Sequence, residues 1–516
     1  MPDCPVPAAG RAALPGPRRG AGRAVQWTVV STTLSEAQRQ AVAELLRISP
    51  VAEELGRRFA AAGHALHLVG GSVRDALLGR LGDDLDLTTD ARPEQVLALV
   101  DGWAEATWAT GIAFGTVGVQ RRGFRLEVTT YRAESYTPGS RNPVVRYGDS
   151  LDGDLVRRDF TVNAMAVAMP DWRAPDAFVD PFGGLDDLAA GVLRTPGTPE
   201  DSFGDDPLRM LRAARFTAQL GFTVAPEVAV AMRTMAERLG IITVERVQTE
   251  LSKLVSGAHP RRGLELLVDT GLADVVLPEL PGMRLSIDPL HQHKDVYQHS
   301  LAVLERAVAL EERYTASPDL VLRLAALLHD IGKPRTRRFE PGGGVSFHHH
   351  EVVGRDMARK RLSALRYPKA VIDDVSRLVE LHLRFHGFST GEWTDSAVRR
   401  YVRDAGDLLP RLHALTRSDC TTRNRRRAAA LAAAYDRLEE RIAELGQAEA
   451  LAAVRPDLDG HAVMRLLGIR PGPLVKQALD HLLELRLEHG PLGEERASAE
   501  LAAWAREQGI EPPDAG

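Results

Sequence analysis

The sequence predicts an α+β protein, a small head built on a short mixed sheet followed by a long all-helical remainder. Strand-like alternation is confined to residues 35–195, at 66–69, 84–88, 114–119 and 124–130, among short helical patterns. After about Asp205 the segments read as one amphipathic helix after another, punctuated at Gly221, Pro226, Gly257, Pro281, Gly342–Gly344 and Pro471–Pro473. A length of 516 residues at 44% hydrophobic content suits about three domains of ~150 residues each.

Composition narrows the class of function. No apolar run approaches the ~18–20 residues of a membrane span, so no membrane partner is expected. The formal net charge of −5 rules out a uniformly basic coat, and any RNA contact must rest on local basic patches. Only six of the 65 basic residues are lysine, a bias of GC-rich coding rather than of phosphate recognition. Cys4 and Cys420 are too far apart for a disulfide framework or a zinc finger, which fits a reduced cytoplasm. The first ~25 residues, rich in Pro, Gly, Ala and Arg, lack the apolar core of a secretory signal and read as part of a disordered extension over 1–33. No feature of the sequence sets an oligomeric state.

The head begins with a helical pattern from Leu34 to Arg58. The segment starting at His67, HLVGGSVRDALLGRLGDDLDLTT, follows it. Here the hydrophobic run Leu66, Leu68, Val69 breaks at Gly70-Gly71-Ser72, a helix-like stretch carries Arg74, and a second strand carries Asp84 and Asp86. Residues i and i+2 of a strand share a face, so the two carboxylates stand about 7 Å apart along it and can grip a divalent metal. The turn entering the helix exposes backbone N–H groups at the positive end of a dipole, a place for phosphate.

The combination G-G-S-V-R-D-x-L-L-G-R followed by D-x-D-L-T-T resembles the first motif of the polymerase-β-like nucleotidyltransferases, the class of the bacterial tRNA CCA-adding enzymes and poly(A) polymerases. The resemblance implies Mg²⁺ on Asp84 and Asp86, a third acidic residue at Glu127 in LEVTTYR, and nucleotide contacts from Gly70, Gly71, Ser72 and Arg74. RRDFTVNAMAV (157–167) resembles the second motif, which implies that Asp159 accepts from the ribose 2′-OH while Arg157, Arg158 and Asn163 surround the nucleotide. Residues 132–156 match the family's mobile loop, and DPFGG (180–184) its closing turn. DDPLRMLRAARF (205–216) resembles the E-D-x-x-R helix, with Asp205 in place of Glu. Asp206 and Arg209, three apart on one helical face, would then read the base edge, with Arg212 and Arg215 also at the nucleotide.

A second constellation lies further on. His299, the adjacent His329-Asp330, His350, His382 and Asp419 follow the order of the HD phosphohydrolase superfamily. Imidazole nitrogen combined with carboxylate oxygen suits Mn, Fe, Co, Ni or Zn. Such a centre would open a phosphoester, for example a 2′,3′-cyclic phosphate that blocks an RNA 3′ end.

The resemblance implies an enzyme that rebuilds the 3′-terminal CCA of tRNA from CTP and ATP without a template. The expected organisation is a nucleotidyltransferase head at 34–198, a helical neck at 199–280, an HD domain at 281–428 and a helical tail at 429–516. One alternative is a poly(A) polymerase or a specialised CC- or A-adding enzyme. Another is an HD phosphohydrolase with a non-catalytic RNA-binding head, against which stand the paired carboxylates Asp84 and Asp86. The arginine run Arg423, Arg425, Arg426 and Arg427 offers phosphate contacts to tRNA, or a solvated helix face.

Overall fold

The computed structural model describes residues 50–80, 82–132, 147–148, 150–174, 176–285, 295–341, 344–385, 393–420, 424–449 and 455–510. The extension over 1–33, most of the 132–156 loop, the Gly342-Gly343 pair and Arg423 lie outside these residues. Of the helix expected over Leu34–Arg58, the described part starts at Pro50 and runs to Ala61, burying Val51, Leu55 and Phe59. Proline suits such a first turn, where its missing N–H has no intrahelical partner.

The head is a seven-stranded sheet. Its strands are β1 (Leu66–Val69), β2 (Asp84–Thr89), β3 (Ala106–Trp108), β4 (Thr116–Arg121), β5 (Phe124–Thr130), β6 (Ala166–Met169) and β7 (Phe178–Val179). In space they run β3-β4-β5-β2-β1-β6-β7. Among the described strands of this sheet, only β2 and β5 pair in parallel; their register sets Asp84 beside Arg125 and Asp86 beside Glu127. Leu85 and Leu87 point into the core while Asp84 and Asp86 stay exposed, and β5 likewise buries Leu126 and Val128 and exposes Glu127. The alternation expected at 84–88 and 124–130 is therefore present. The strand expected at 114–119 is offset, because Ile112–Phe114 forms a 3₁₀ turn closed by Gly115 with φ +77°.

The remainder is mainly helical, with two corrections to the all-helical expectation. Thr223–Val224 pairs in parallel with Val192–Leu193, and Arg338–Phe339 pairs with Val345–Ser346 in a hairpin. Two-residue strands are too short to show a period, so the pattern that reveals longer strands is missing from them. One continuous apolar core runs from Val51 to Leu445, and a second, built on Leu458, Val463, Leu482 and Leu501, serves the last helices.

Candidate active site and metal centre

Strand register builds the first part of the site. Across β4, β5 and β2, Gly118, Glu127 and Asp86 are direct neighbours and so face the same side of the sheet. Ser72 holds β2 in place: its hydroxyl accepts from the Asp86 N–H at 2.9 Å and donates to the Asp84 carbonyl at 3.4 Å. That hydroxyl thus serves the carboxylate strand itself. Gly70 adopts φ +70°, and a Cβ there would press on the Arg158 guanidinium, with Asp86 3.5 Å away. Although Asp86 is exposed, the protein around it pushes its carboxyl above the ordinary value; Glu127 and Asp84 add repulsion, which Arg158 and Arg74 oppose. Carboxylates held together in this way are matched to a divalent cation.

A buried polar network stands on the β1–β6 flank. Arg74 binds Asp75 through two 2.8 Å bonds and donates to Asn163 Oδ1 at 2.6 Å. Asn163 Nδ2 donates to Asp159 at 2.9 Å, and Arg212 meets the other Asp159 oxygen at 2.6 Å. Burial alone would raise the Asp159 carboxyl, but Arg212 and the Asn163 bond hold it well below the usual carboxylate range. Arg215 pairs with buried Glu250 at 3.1 Å; burial and neighbouring Arg212 lower its guanidinium to about 10. Phe216 lies against Arg74, Arg212 and Arg215, with ring-to-cation distances of 5.0, 5.6 and 4.2 Å. Arg158 completes the flank through Asp154 at 3.1 Å.

Asp206 and Arg209 do not share a helical face. The helix breaks between Pro199–Asp205 and Leu208–Leu220, and Asp206 is extended at the junction. Pro207 forces this, because the residue before a proline is driven out of the helical region. Asp206 accepts from the Leu208 N–H at 3.1 Å and pairs with Arg246 at 2.7 Å, while Arg209 donates to Ser202 Oγ and to the Arg157 carbonyl. Glu250 and Arg246 were missed in the sequence, although Glu250 stands among Val247, Leu251 and Leu254 on an apolar helix stripe, a signal of a buried charge with a partner.

The second cluster is assembled from helix ends. His299 lies in the first turn of Val296–Tyr314, His329 caps Leu320–Leu328, His350 starts His350–Ala364, His382 caps Lys369–Leu381, and Asp419 ends Leu409–Asp419. Adjacent His329 and Asp330 converge at this helix end, where His329 is the C-cap. His299 Nε2 is 2.9 Å from Asp419 and 3.3 Å from His329 Nε2. Asp330 turns one oxygen to His299 (3.5 Å) and His329 (3.3 Å), the other to His350 (3.3 Å) and His382 (3.8 Å).

Three of these imidazoles are oriented for ligation. His329, His350 and His382 place Nδ1 against the carbonyls of Ala326, Phe347 and Val379 at 2.9, 2.8 and 2.6 Å, which leaves Nε2 as the lone-pair nitrogen. Among the described residues, the buried Nε2 atoms of His350 and His382 and the buried Oδ1 of Asp330 have no hydrogen-bond partner, the state expected of atoms built to meet a cation. Burial and the neighbouring His329 lower His382 to about 3 and keep it neutral. His329 is raised despite its burial by Asp330 and Asp419. His299, His329 and Asp419 form one group able to hold a metal ion, and Asp330, His350 and His382 another. The sequence reading missed Lys333, whose ammonium donates to Asp330 at 2.6 Å.

Comparison with known proteins agrees with this division of chemistry. Residues 66–194 match the poly A polymerase head domain, 221–283 the probable RNA and SrmB-binding site of polymerase A, and 296–424 the HD domain. The chain is 36% identical to an A-adding tRNA nucleotidyltransferase of Deinococcus radiodurans over 85% of its own length and 95% of the relative's. It is 44% identical to a CCA-adding enzyme of Levilactobacillus brevis over 41% of its own length, spanning about half (51%) of that protein. Among solved structures, the CCA-adding enzyme of Bacillus stearothermophilus in complex with CTP superposes with a TM-score of 0.60 at 29% identity, over 89% of this chain and 98% of that one. With the sheet-borne carboxylates, the arginine-rich flank and the His-Asp cluster following in the same order, this chain belongs to the tRNA nucleotidyltransferase and poly(A) polymerase family, in a form that carries an HD domain.

Proposed function

We propose that the protein rebuilds the 3′-terminal CCA of tRNA from CTP and ATP, releasing pyrophosphate. The observation that carries this reading is the in-register set Asp84, Asp86 and Glu127 on one face of the sheet, flanked by Arg158 and the Arg74–Asn163–Asp159–Arg212 network. Mg²⁺ on these carboxylates would neutralise triphosphate charge and ease deprotonation of the RNA 3′-OH. Around it, Arg158 and the Gly70-Gly71 turn hold phosphate oxygens, Asp159 accepts from the ribose, and Asp206 and Arg209, on the two sides of the Pro207 break, would exchange their contacts with Arg246 and with Ser202 and the Arg157 carbonyl for the base edge. Arg425, Arg426 and Arg427, exposed at the start of a long helix, offer phosphate contacts to tRNA. The functional parts on this reading are the head (34–198), neck (199–280), HD domain (281–428) and tail (429–516).

The six residues of the second cluster would hold a transition metal (Mn, Fe, Co, Ni or Zn), and that metal would supply a Lewis acid for opening a phosphoester such as a 2′,3′-cyclic phosphate. A second reading of the head, addition of the terminal A alone, is favoured by the Deinococcus relative, which matches along nearly its whole length. The deciding experiment offers the enzyme tRNAs ending at the discriminator base, at C and at CC, each with single NTPs, and sequences the products. Growth of all three substrates to CCA supports the first reading; extension of only the CC-ended tRNA selects the second.

A further inference from the structure

The geometry points to Trp108 as a stacking platform for the terminal nucleotide of the RNA being extended. The inference rests on the reading of Asp84, Asp86 and Glu127 as the reactive face. Trp108 of β3 pairs with Gly118 of β4, Gly118 with Glu127 of β5, and Glu127 with Asp86 of β2, so the four positions form one row across four strands. Cross-strand partners share a face, so the indole stands on the same side as the carboxylates. It also leans over β4: a Cβ at Gly118 would collide with its Cε2 and Nε1 atoms, so only glycine admits the ring there. The Arg125 guanidinium lies 5.7 Å from the ring, on the exposed face of β5 that carries Glu127. Trp108 remains half-buried, with part of its surface open to solvent, unlike buried Trp103.

Direction of attack selects the occupant. In phosphoryl transfer the entering and leaving oxygens are in line, on opposite sides of the phosphorus. The cationic groups suited to the leaving pyrophosphate, Arg158 and Arg74, lie on the β1–β6 side of Asp86, beside Gly70 and Gly71. The attacking 3′-OH must then approach from the β5–β4 side, where partly open Trp108 is the aromatic side chain in the row of Glu127 and Asp86; exposed Phe114 lies in the 3₁₀ turn before β4, outside that row. A base stacked on that indole would set its own ribose over Glu127 and Asp86. Stacking is indifferent to base identity, as a platform must be if the terminal residue changes with each addition.

The test uses the full-length enzyme and a tRNA whose 3′-terminal base is 2-aminopurine, titrated without NTP so that no turnover occurs. Wild type is expected to quench the fluorescence by stacking; Trp108→Ala is expected to bind without the quench, and Trp108→Phe to retain much of it. In kinetics, Trp108→Ala should raise KM for tRNA about 5- to 150-fold, the loss of one base–aromatic stack, with KM for CTP and ATP unchanged. Gly118→Ala should copy this phenotype while keeping the tryptophan. Equal quenching by wild type and Trp108→Ala, or a loss in Trp108→Ala that falls equally on the NTPs, would overturn the inference. Asp86→Ala separates it from the underlying reading: retained addition in that variant refutes the carboxylate site, while the quench still reports on the stack.

Discussion

Glu311→Gln should be among the most damaging single-atom changes in this protein, because Glu311 holds a guanidinium that water cannot reach. Arg323 is 3% exposed and Glu311 fully buried; their two contacts measure 2.6 and 2.8 Å. The remaining Arg323 nitrogen donates to the carbonyls of Val255 and Gly257, at the C-terminal end of the neck helix Val244–Val255. The glutamine preserves size and an acceptor but removes the balancing charge, and stripping one partner from a buried pair costs about 3–5 kcal/mol. The helix terminus and its carbonyls oppose this with up to about 2 kcal/mol, since cations are favoured at that end. The net expectation is a loss of about 1–5 kcal/mol in urea unfolding, unchanged between about 0.05 and 0.5 M salt because a buried pair is poorly screened. Glu53→Gln, which breaks the exposed Arg57–Glu53 pair, is the control and should shift stability by less than about 1 kcal/mol. A Glu311→Gln loss below about 1 kcal/mol would refute the reasoning, and would mean that the helix carbonyls alone suffice for Arg323.

Asp84→Ala or Asp86→Ala should reduce nucleotide addition by about three orders of magnitude or more with an unchanged circular dichroism spectrum, since charge neutralisation dominates such transfers; near wild-type incorporation by the folded double variant would exclude the site. Asp206→Ala or Arg209→Ala should relax the preference for C and A over G and U by roughly 10- to 100-fold, read from competing NTPs, because a site built on hydrogen bonds rejects partners it leaves unpaired; unchanged product ratios would count against the assignment. The combined His329→Ala, Asp330→Ala variant should lose transition metal by elemental analysis yet retain addition within a few-fold. Addition that collapses together with metal binding would show the two centres to be interdependent. The depressed Asp159 carboxyl stabilises the fold above the ordinary carboxylate value of about 3.9, and this contribution is lost as pH falls below it. Asp159→Asn should therefore flatten the decline of urea midpoints between pH 5 and 3, and an unaltered slope would contradict the proposed Arg212 contact.

The carboxylate strand was legible because a half-buried strand writes its geometry in period two: Leu85 and Leu87 inward, Asp84 and Asp86 outward. The six residues of the His-Asp cluster were legible from residue type and order, and the structure gathers all of them. The junction at Asp206 was misread because helical spacing was carried through Asp205-Asp206-Pro207, where proline forbids it. Strands β3, β6 and β7 were missed for want of a period, since Ala166–Met169 is buried nearly throughout and the other two are very short. The partnership of Glu250 with Arg212 and Arg215 was equally out of reach, because it joins separate helices.

By itself, the sequence determined which atoms are available for chemistry and their local spacing: two carboxylates on one strand face, a glycine turn before a short helix, and imidazoles in a fixed order. These follow from chain geometry, which sets side-chain direction every second residue in a strand and every 3.6 in a helix. Only the tertiary structure decided which of those atoms meet. The parallel pairing of β2 with β5 brings Glu127 beside Asp86 across 41 residues of chain, helix ends converge on Asp330, and Trp108 reaches the reactive face through Gly118. Such contacts depend on long-range packing, which no local period records.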